Sequence, residues 1–132
     1  MTPNSSILIV DDDAAMRRFL ARVVELEGYT PVEAESGAEA YGRLAELGDD
    51  VALVLLDVMM KDIDGFEFRE LQLETPDGAR VPTIVISGQV LDAAKLARLR
   101  AVAALTKPVD VPQLRGCIRT YARGSRGQTQ ID

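Results

Sequence analysis

The sequence predicts a single α/β domain whose parallel sheet is covered by helices on both faces. Three observations carry this expectation. Short apolar segments alternate with amphipathic helical ones five times along 132 residues, the pattern that builds a doubly wound (βα)5 unit. The strongest apolar run, residues 51–56 (VALVLL), is continuous rather than alternating, as a strand buried on both faces requires. Residues able to do chemistry fall just where the apolar runs stop.

The elements follow in order. Residues 7–10, ILIV, are short, apolar and β-branched, and read as a buried strand. Asp12 or Asp13 then stands ready to cap a helix. Met16, Phe19, Leu20, Val23 and Val24 recur at helical spacing, with Arg17, Arg18, Arg22 and Glu25 on the other face. Gly28 suits the stop. Residues 30–35 set Val32 and Ala34 against polar neighbours as a second strand. Ser36 and Glu39 form a capping-box pattern, opening a helix through Tyr41, Leu44 and Leu47 to Gly48. The central strand, 51–56, ends on Asp57. MMKDIDG is a loop, with Asp64 capping a helix that carries Phe66 and Leu71. ETPDGAR reads as a turn by its Pro, Asp and Gly. Residues 81–86 form a fourth strand ending at Ser87, residues 91–100 a helix, and residues 103–106 a weaker fifth strand ending at Lys107 and Pro108. Asp110 caps a last helix with Val111, Leu114, Ile118 and Tyr121 inward. The domain is expected over residues 7–122, between a flexible N-terminus (1–6) and a polar tail, RGSRGQTQID (123–132).

Composition narrows the function. The chain is 47% hydrophobic and 27% charged, enough for a real core. A net charge of -6 argues against nucleic acid as the main ligand, because that binding rests on neutralising phosphates. A single cysteine, Cys117, allows no internal disulfide and suits a reducing compartment; its place near an apolar helix face fits plain packing. No basic leader and no span-length apolar run precede the domain, so a cytoplasmic, membrane-free protein is expected. There is no histidine, which excludes imidazole metal sites, Ser–His catalysis and a phosphohistidine on this chain.

In an open parallel sheet, ligands bind at the carboxyl ends of the strands. There lie Asp11 and Asp12 after strand one, Asp57 after strand three, Ser87 after strand four and Lys107 after strand five. One helix cap needs a single aspartate, so the run Asp11–Asp12–Asp13 exceeds a capping role. At about 5 Å and an effective dielectric near 20, each pair of like charges costs roughly 3 kcal/mol. A divalent cation relieves this, and Mg2+ suits it best: a hard ion that takes oxygen ligands and keeps waters for a phosphate. A lysine and a small hydroxyl opposite it make a clamp for a phosphoryl group, and a carboxylate can itself be the nucleophile. Asp57, at the end of the most buried strand, is the best placed.

Together ILIVDDD, LVLLDVMMKDIDG, IVISG and LTKP resemble the response-regulator receiver domains of two-component signalling (the CheY-like superfamily), over residues 7 to 121. The resemblance implies a flavodoxin-like strand order 2-1-3-4-5. It implies Asp57 as phosphoacceptor, with Mg2+, or Mn2+ in its place, held by Asp11, Asp12, Asp57 and the Met59 backbone carbonyl. Ser87 and Lys107 would contact the phosphoryl group, and the bond between Lys107 and Pro108 would be cis. The implied donor is a histidine kinase or a histidine phosphotransfer protein. The implied receiver of the signal is a downstream protein or an output domain outside this chain. Two positions depart from the family pattern: Lys61, where proline is frequent, and Ala104, where an aromatic ring usually relays the switch.

Two other readings compete. Asp11 and Asp13 as D-x-D after a first strand are similar to the haloacid-dehalogenase phosphatases, which would phosphorylate Asp11; the residue at Ala15, the missing cap and the missing late acidic pair speak against them. A nucleotide- or flavin-binding domain would need a glycine-rich turn after strand one, and DDDAAM has none. Finally Arg115, Arg119 and Arg123, with Arg126 beyond, form an arginine stripe. It is either a solvated face or a docking surface for an acidic partner or a second copy of the chain.

Overall fold

The computed structural model describes residues 4–60 and 65–124. Five parallel strands form one sheet: β1 (Ser6–Val10), β2 (Thr30–Ala34), β3 (Val51–Asp57), β4 (Thr83–Ser87) and β5 (Ala103–Thr106). Their order is β2-β1-β3-β4-β5, with parallel register throughout. Among the described residues the helices are α1 (Ala14–Leu26), α2 (Gly37–Leu47), α3 (Gly65–Glu74), α4 (Pro76–Ala79), α5 (Ala93–Leu99) and α6 (Val111–Tyr121). None is long and apolar enough to cross a membrane.

The two-residue period of the strands sends alternate side chains to opposite faces. Ile7, Ile9, Leu53, Leu55, Ile84 and Ile86 pack with Leu20 and Val24 of α1 and Leu114 and Ile118 of α6. Leu8, Val10, Val54, Leu56 and Val85 pack with Leu44 of α2, Phe68 of α3 and Leu99 of α5. Every residue of β3 is buried, which is why its sequence carries no polar alternation. The register slips once, so that Ser6 pairs with Val51 but Ile7 with Leu53. Arg123 covers the irregularity: its N–H donates to the Ala52 carbonyl at 2.9 Å and its Nη2 to the Val51 carbonyl at 2.7 Å. On the same rim Ser5 and Ser6 donate their hydroxyls to the buried Asp50 carboxylate.

Several local expectations change. Of the two aspartates expected at the cap of α1, Asp13 takes the role, accepting from the N–H groups of Ala15 and Met16. Gly28 follows that helix with φ 88°, a conformation open to glycine. Ser36 caps α2, but Glu39 reaches the N–H of Glu35 rather than that of the cap. The ETPDGAR segment holds α4, with Pro76 in its first turn. Strand β4 starts at Thr83 and helix α5 at Ala93, each two residues later than expected. Asp110 occupies the cap position of α6 without a side-chain capping bond. Phe19, Tyr41 and Tyr121 are exposed, while α3 buries Phe68, Arg69 and Gln72 in place of Phe66 and Leu71. Lys61, Asp62, Asp64 and Arg126 lie outside the described residues.

The arginine stripe is an internal clamp. Arg115 Nε and Arg119 Nε both donate to the Glu27 carboxylate, at 2.5 and 2.8 Å, and tie α6 to the end of α1. Burial alone would push the Glu27 carboxyl up. The Arg115 and Arg119 hydrogen bonds and charges outweigh it and hold the carboxyl below its ordinary range. A depressed carboxyl stabilises the fold above its unfolded pKa and loses that contribution as the pH falls through its folded pKa. Glu27→Gln should therefore lower stability by about 1 kcal/mol at pH 7. The gap between variant and wild type in urea melts should close on acidification below the ordinary carboxylate range.

Candidate functional site

The three aspartates after β1 have separate jobs. Asp13 caps α1. Asp11 still follows β2, its N–H donating to the Ala34 carbonyl at 3.1 Å, and its buried carboxylate accepts the Asp13 N–H through Oδ1 at 2.9 Å. Asp12 is half-buried between them. Asp57 is the last residue of β3, and its Oδ1 accepts the Met59 N–H at 3.0 Å. The next turn is shaped by Gly65, whose N–H donates to the Val58 carbonyl at 3.2 Å. A Cβ there would overlap the Val58 Cα, so only glycine lets the chain return so closely behind Asp57.

These segments converge. One carboxylate oxygen from each of Asp11, Asp12 and Asp57 lies within 4.8 Å of the others. Lys107 Nζ stands 3.4 Å from Asp11 Oδ2 and 3.4 Å from Asp57 Oδ2. These are ionic contacts longer than tight charge-assisted hydrogen bonds. Burial and the Asp11 charge push the Asp57 carboxyl up, against the Met59 N–H and Lys107. Burial would pull the Lys107 ammonium down, but Asp57 and Asp11 outweigh it and raise it. One ammonium against three carboxylates leaves an excess of negative charge around hard oxygen donors, the donor set of a magnesium site.

The hydroxyl reaches the same edge. Ser87 lies one step past Ile86, the β4 partner of Asp57. Its buried Oγ accepts the Gln89 N–H at 3.1 Å. Its carbonyl accepts the Lys107 N–H at 2.8 Å, carrying the β4–β5 ladder one residue beyond the pairing of Ser87 with Thr106. The peptide bond from Lys107 to Pro108 is cis. Thus Asp11, Asp12, Asp57, Met59, Ser87 and Lys107, spread over 97 positions of sequence, share one rim. Ala104 is exposed on β5, with no ring to fill that face.

Sequence reading missed Arg17. It was grouped with the solvent-facing arginines of α1, yet it donates through Nη1 to the Asp11 carbonyl at 2.7 Å and pairs with Glu33. A basic residue one turn past the acidic run, opposite a glutamate on β2, was the available signal.

The comparisons with known proteins agree with this geometry. The model of the family described as the response regulator receiver domain matches residues 7–119. The chain belongs to that family, the phosphoacceptor domains of two-component signalling. It is 30% identical over 118 residues to sporulation initiation phosphotransferase F of Bacillus subtilis (strain 168), covering 89% of this chain and 94% of that protein. A CheY-like receiver domain protein from Methanospirillum hungatei JF-1 superposes with a TM-score of 0.75 at 28% identity, over 88% of this chain and 91% of the other. The response regulator TrrA of Thermotoga maritima, solved in complex with Mg2+ and BeF, shares the fold with a TM-score of 0.78 at 24% identity, over 89% and 98%. The chain spans only 10%, 23%, 23% and 56% of the first four curated relatives it matches. The family match decides between the two aspartyl-phosphate readings: the chain is a receiver, not a haloacid-dehalogenase phosphatase.

Proposed function

We propose that Asp57 accepts a phosphoryl group from a partner's phosphohistidine in a Mg2+-dependent reaction, and that the signal passes on through a changed surface. The partner is a histidine kinase or histidine phosphotransfer protein, and the chain acts as a switch rather than an enzyme. The observation that carries this is Lys107 Nζ placed 3.4 Å from both Asp11 and Asp57, with Asp12 completing the acidic cluster.

Asp11, Asp12, Asp57 and the Met59 carbonyl would hold Mg2+, which when bound supplies charge neutralisation for the incoming phosphoryl oxygens. The Met59 N–H bond to Oδ1 orients the Asp57 carboxylate and leaves Oδ2 facing Lys107. A carboxylate oxygen of Asp57 forms the new O–P bond as the N–P bond of the donor breaks; the released imidazole stays with the donor. Phosphorylation replaces the single carboxylate charge with a phosphoryl group carrying about two negative charges and three acceptor oxygens, which Lys107 and the Ser87 hydroxyl then meet. Acetyl phosphate with Mg2+ tests the reading: the chain should gain one phosphoryl group by intact mass, and EDTA should prevent it. A chain that stays at its starting mass with both reagents present would refute it.

Met59 stands exposed at the mouth of the site, where an apolar side chain shields the acyl phosphate from water instead of orienting water for attack. Met59→Asn should shorten the phosphoryl lifetime, read as decay of the mass-shifted species after donor removal.

A further inference from the structure

We infer that Arg17 is a positioning residue for the acidic loop: its guanidinium holds the peptide between Asp11 and Asp12 and so sets the cluster's affinity for a divalent cation. This rests on the reading of Asp11, Asp12 and Asp57 as Mg2+ ligands.

Arg18, its neighbour, is exposed, but the Arg17 side chain is only 15% exposed. From the first turns of α1 it reaches back over the loop. Nε donates to Glu33 Oε1 of β2 at 3.1 Å, and Nη1 donates to the Asp11 carbonyl at 2.7 Å. Glu33 thus fixes the guanidinium, and the guanidinium fixes the carbonyl. That carbonyl belongs to the rigid peptide plane whose N–H is that of Asp12. The Asp11 end of the plane is already held, by its N–H on Ala34 and its Oδ1 on Asp13. Rotation of the plane would change the direction in which Asp12 leaves the strand. The Arg17 hydrogen bond to the Asp11 carbonyl opposes that rotation. A planar fork can hold two acceptors at once in fixed geometry; the single ammonium of lysine does so far less well.

Charge alone predicts the opposite effect on the metal. A cation beside three carboxylates repels an incoming dication, so deleting it should tighten Mg2+ binding. Loss of positioning should weaken it, by the 10- to 100-fold typical of groups that orient metal ligands. The sign of the change separates the two.

The test is calorimetric titration of magnesium chloride into the full chain and into Arg17→Gln, Arg17→Lys and Asp12→Asn, with thermal melts in EDTA to show that each is folded. Both Arg17 variants should bind Mg2+ about tenfold more weakly. With acetyl phosphate their half-saturating Mg2+ should rise by the same factor, while the rate at saturating Mg2+ returns to that of the wild type. Unchanged or tighter Mg2+ binding in Arg17→Gln overturns the inference, as does wild-type affinity in Arg17→Lys, which keeps the charge without the fork. A rate deficit that saturating Mg2+ does not repair overturns it too, since that marks a merely structural role. Failure of the underlying reading is distinct: Asp12→Asn would then bind Mg2+ like the wild type, and the Arg17 inference would fall with it.

Discussion

Asp57→Asn should take up no phosphoryl group from acetyl phosphate and Mg2+, under conditions where the wild-type chain gains one. The amide is nearly isosteric, and its oxygen can still accept the Met59 N–H that holds the carboxylate, so the loss reports the nucleophile and not the fold. Asp11→Asn should slow uptake without abolishing it, because Asp11 offers an oxygen to the cation cluster while the proposed acceptor is Asp57. The reverse ranking, with Asp11 essential and Asp57 dispensable, would contradict the assignment. A second readout has its own sign. Burial and the Asp11 charge place the folded Asp57 carboxyl above its ordinary range. Ionising it then costs folding free energy as the pH rises through that range. Without Mg2+, Asp57→Asn should therefore melt at a higher temperature than the wild type at neutral pH, by scanning calorimetry in EDTA.

Arg69→Met should destabilise the fold by about 3 kcal/mol, measured by urea denaturation. Arg69 is almost wholly buried on α3. It donates Nε to the Leu99 carbonyl at 2.7 Å, Nη1 to Thr83 Oγ1 at 3.0 Å and Nη2 to the Arg100 carbonyl at 2.9 Å. Burial, with the Arg100 charge, pushes its pKa down to about 10, so it remains a cation at pH 7. Methionine returns the desolvation of that cation but strands acceptors at the end of α5, each worth roughly 1–3 kcal/mol when left unpaired. Two carbonyls and a hydroxyl outweigh one relieved charge. Thr83 keeps a partial outlet through Gln72 Oε1 at 3.3 Å, which keeps the expected loss from reaching the sum of the parts. A variant as stable as the wild type would show that water replaces the guanidinium.

How much of this was legible depended on whether a residue's role is local. Residues 51–56 announced a central strand because burial on both faces favours an unbroken apolar run. Asp11, Asp12, Asp57, Ser87 and Lys107 were legible as a set because a parallel sheet delivers the carboxyl ends of all its strands to one edge, whatever their separation in sequence. The strand order itself came from family resemblance; no local pattern specifies which strand lies beside which. Arg69 drew no reading, and Arg17 and the Arg115–Arg119 pair on Glu27 were misjudged, for one reason. Helical periodicity sorts polar side chains outward, but a long guanidinium can cross back to a carbonyl or carboxylate on a neighbouring element. Phe19, Tyr41 and Tyr121 erred in the opposite sense: each sits at the margin of its helix's apolar stripe, where the sheet no longer covers it. ETPDGAR was read as a turn because four residues are too few for helical periodicity to register.

The anchoring of Arg123 on Val51 and Ala52 has a consequence for how information leaves the molecule. It fastens the stretch after α6 to the first residues of β3, and the Asp57 carboxylate crowns the other end of that same strand. Seven residues of extended chain put roughly 20 Å between the two. Arg123 and its neighbour Gly124 therefore sit at the end of the sheet opposite Asp57. A change at Asp57 would reach Arg123 only as motion transmitted along β3 or through the helices that flank it, not by direct contact.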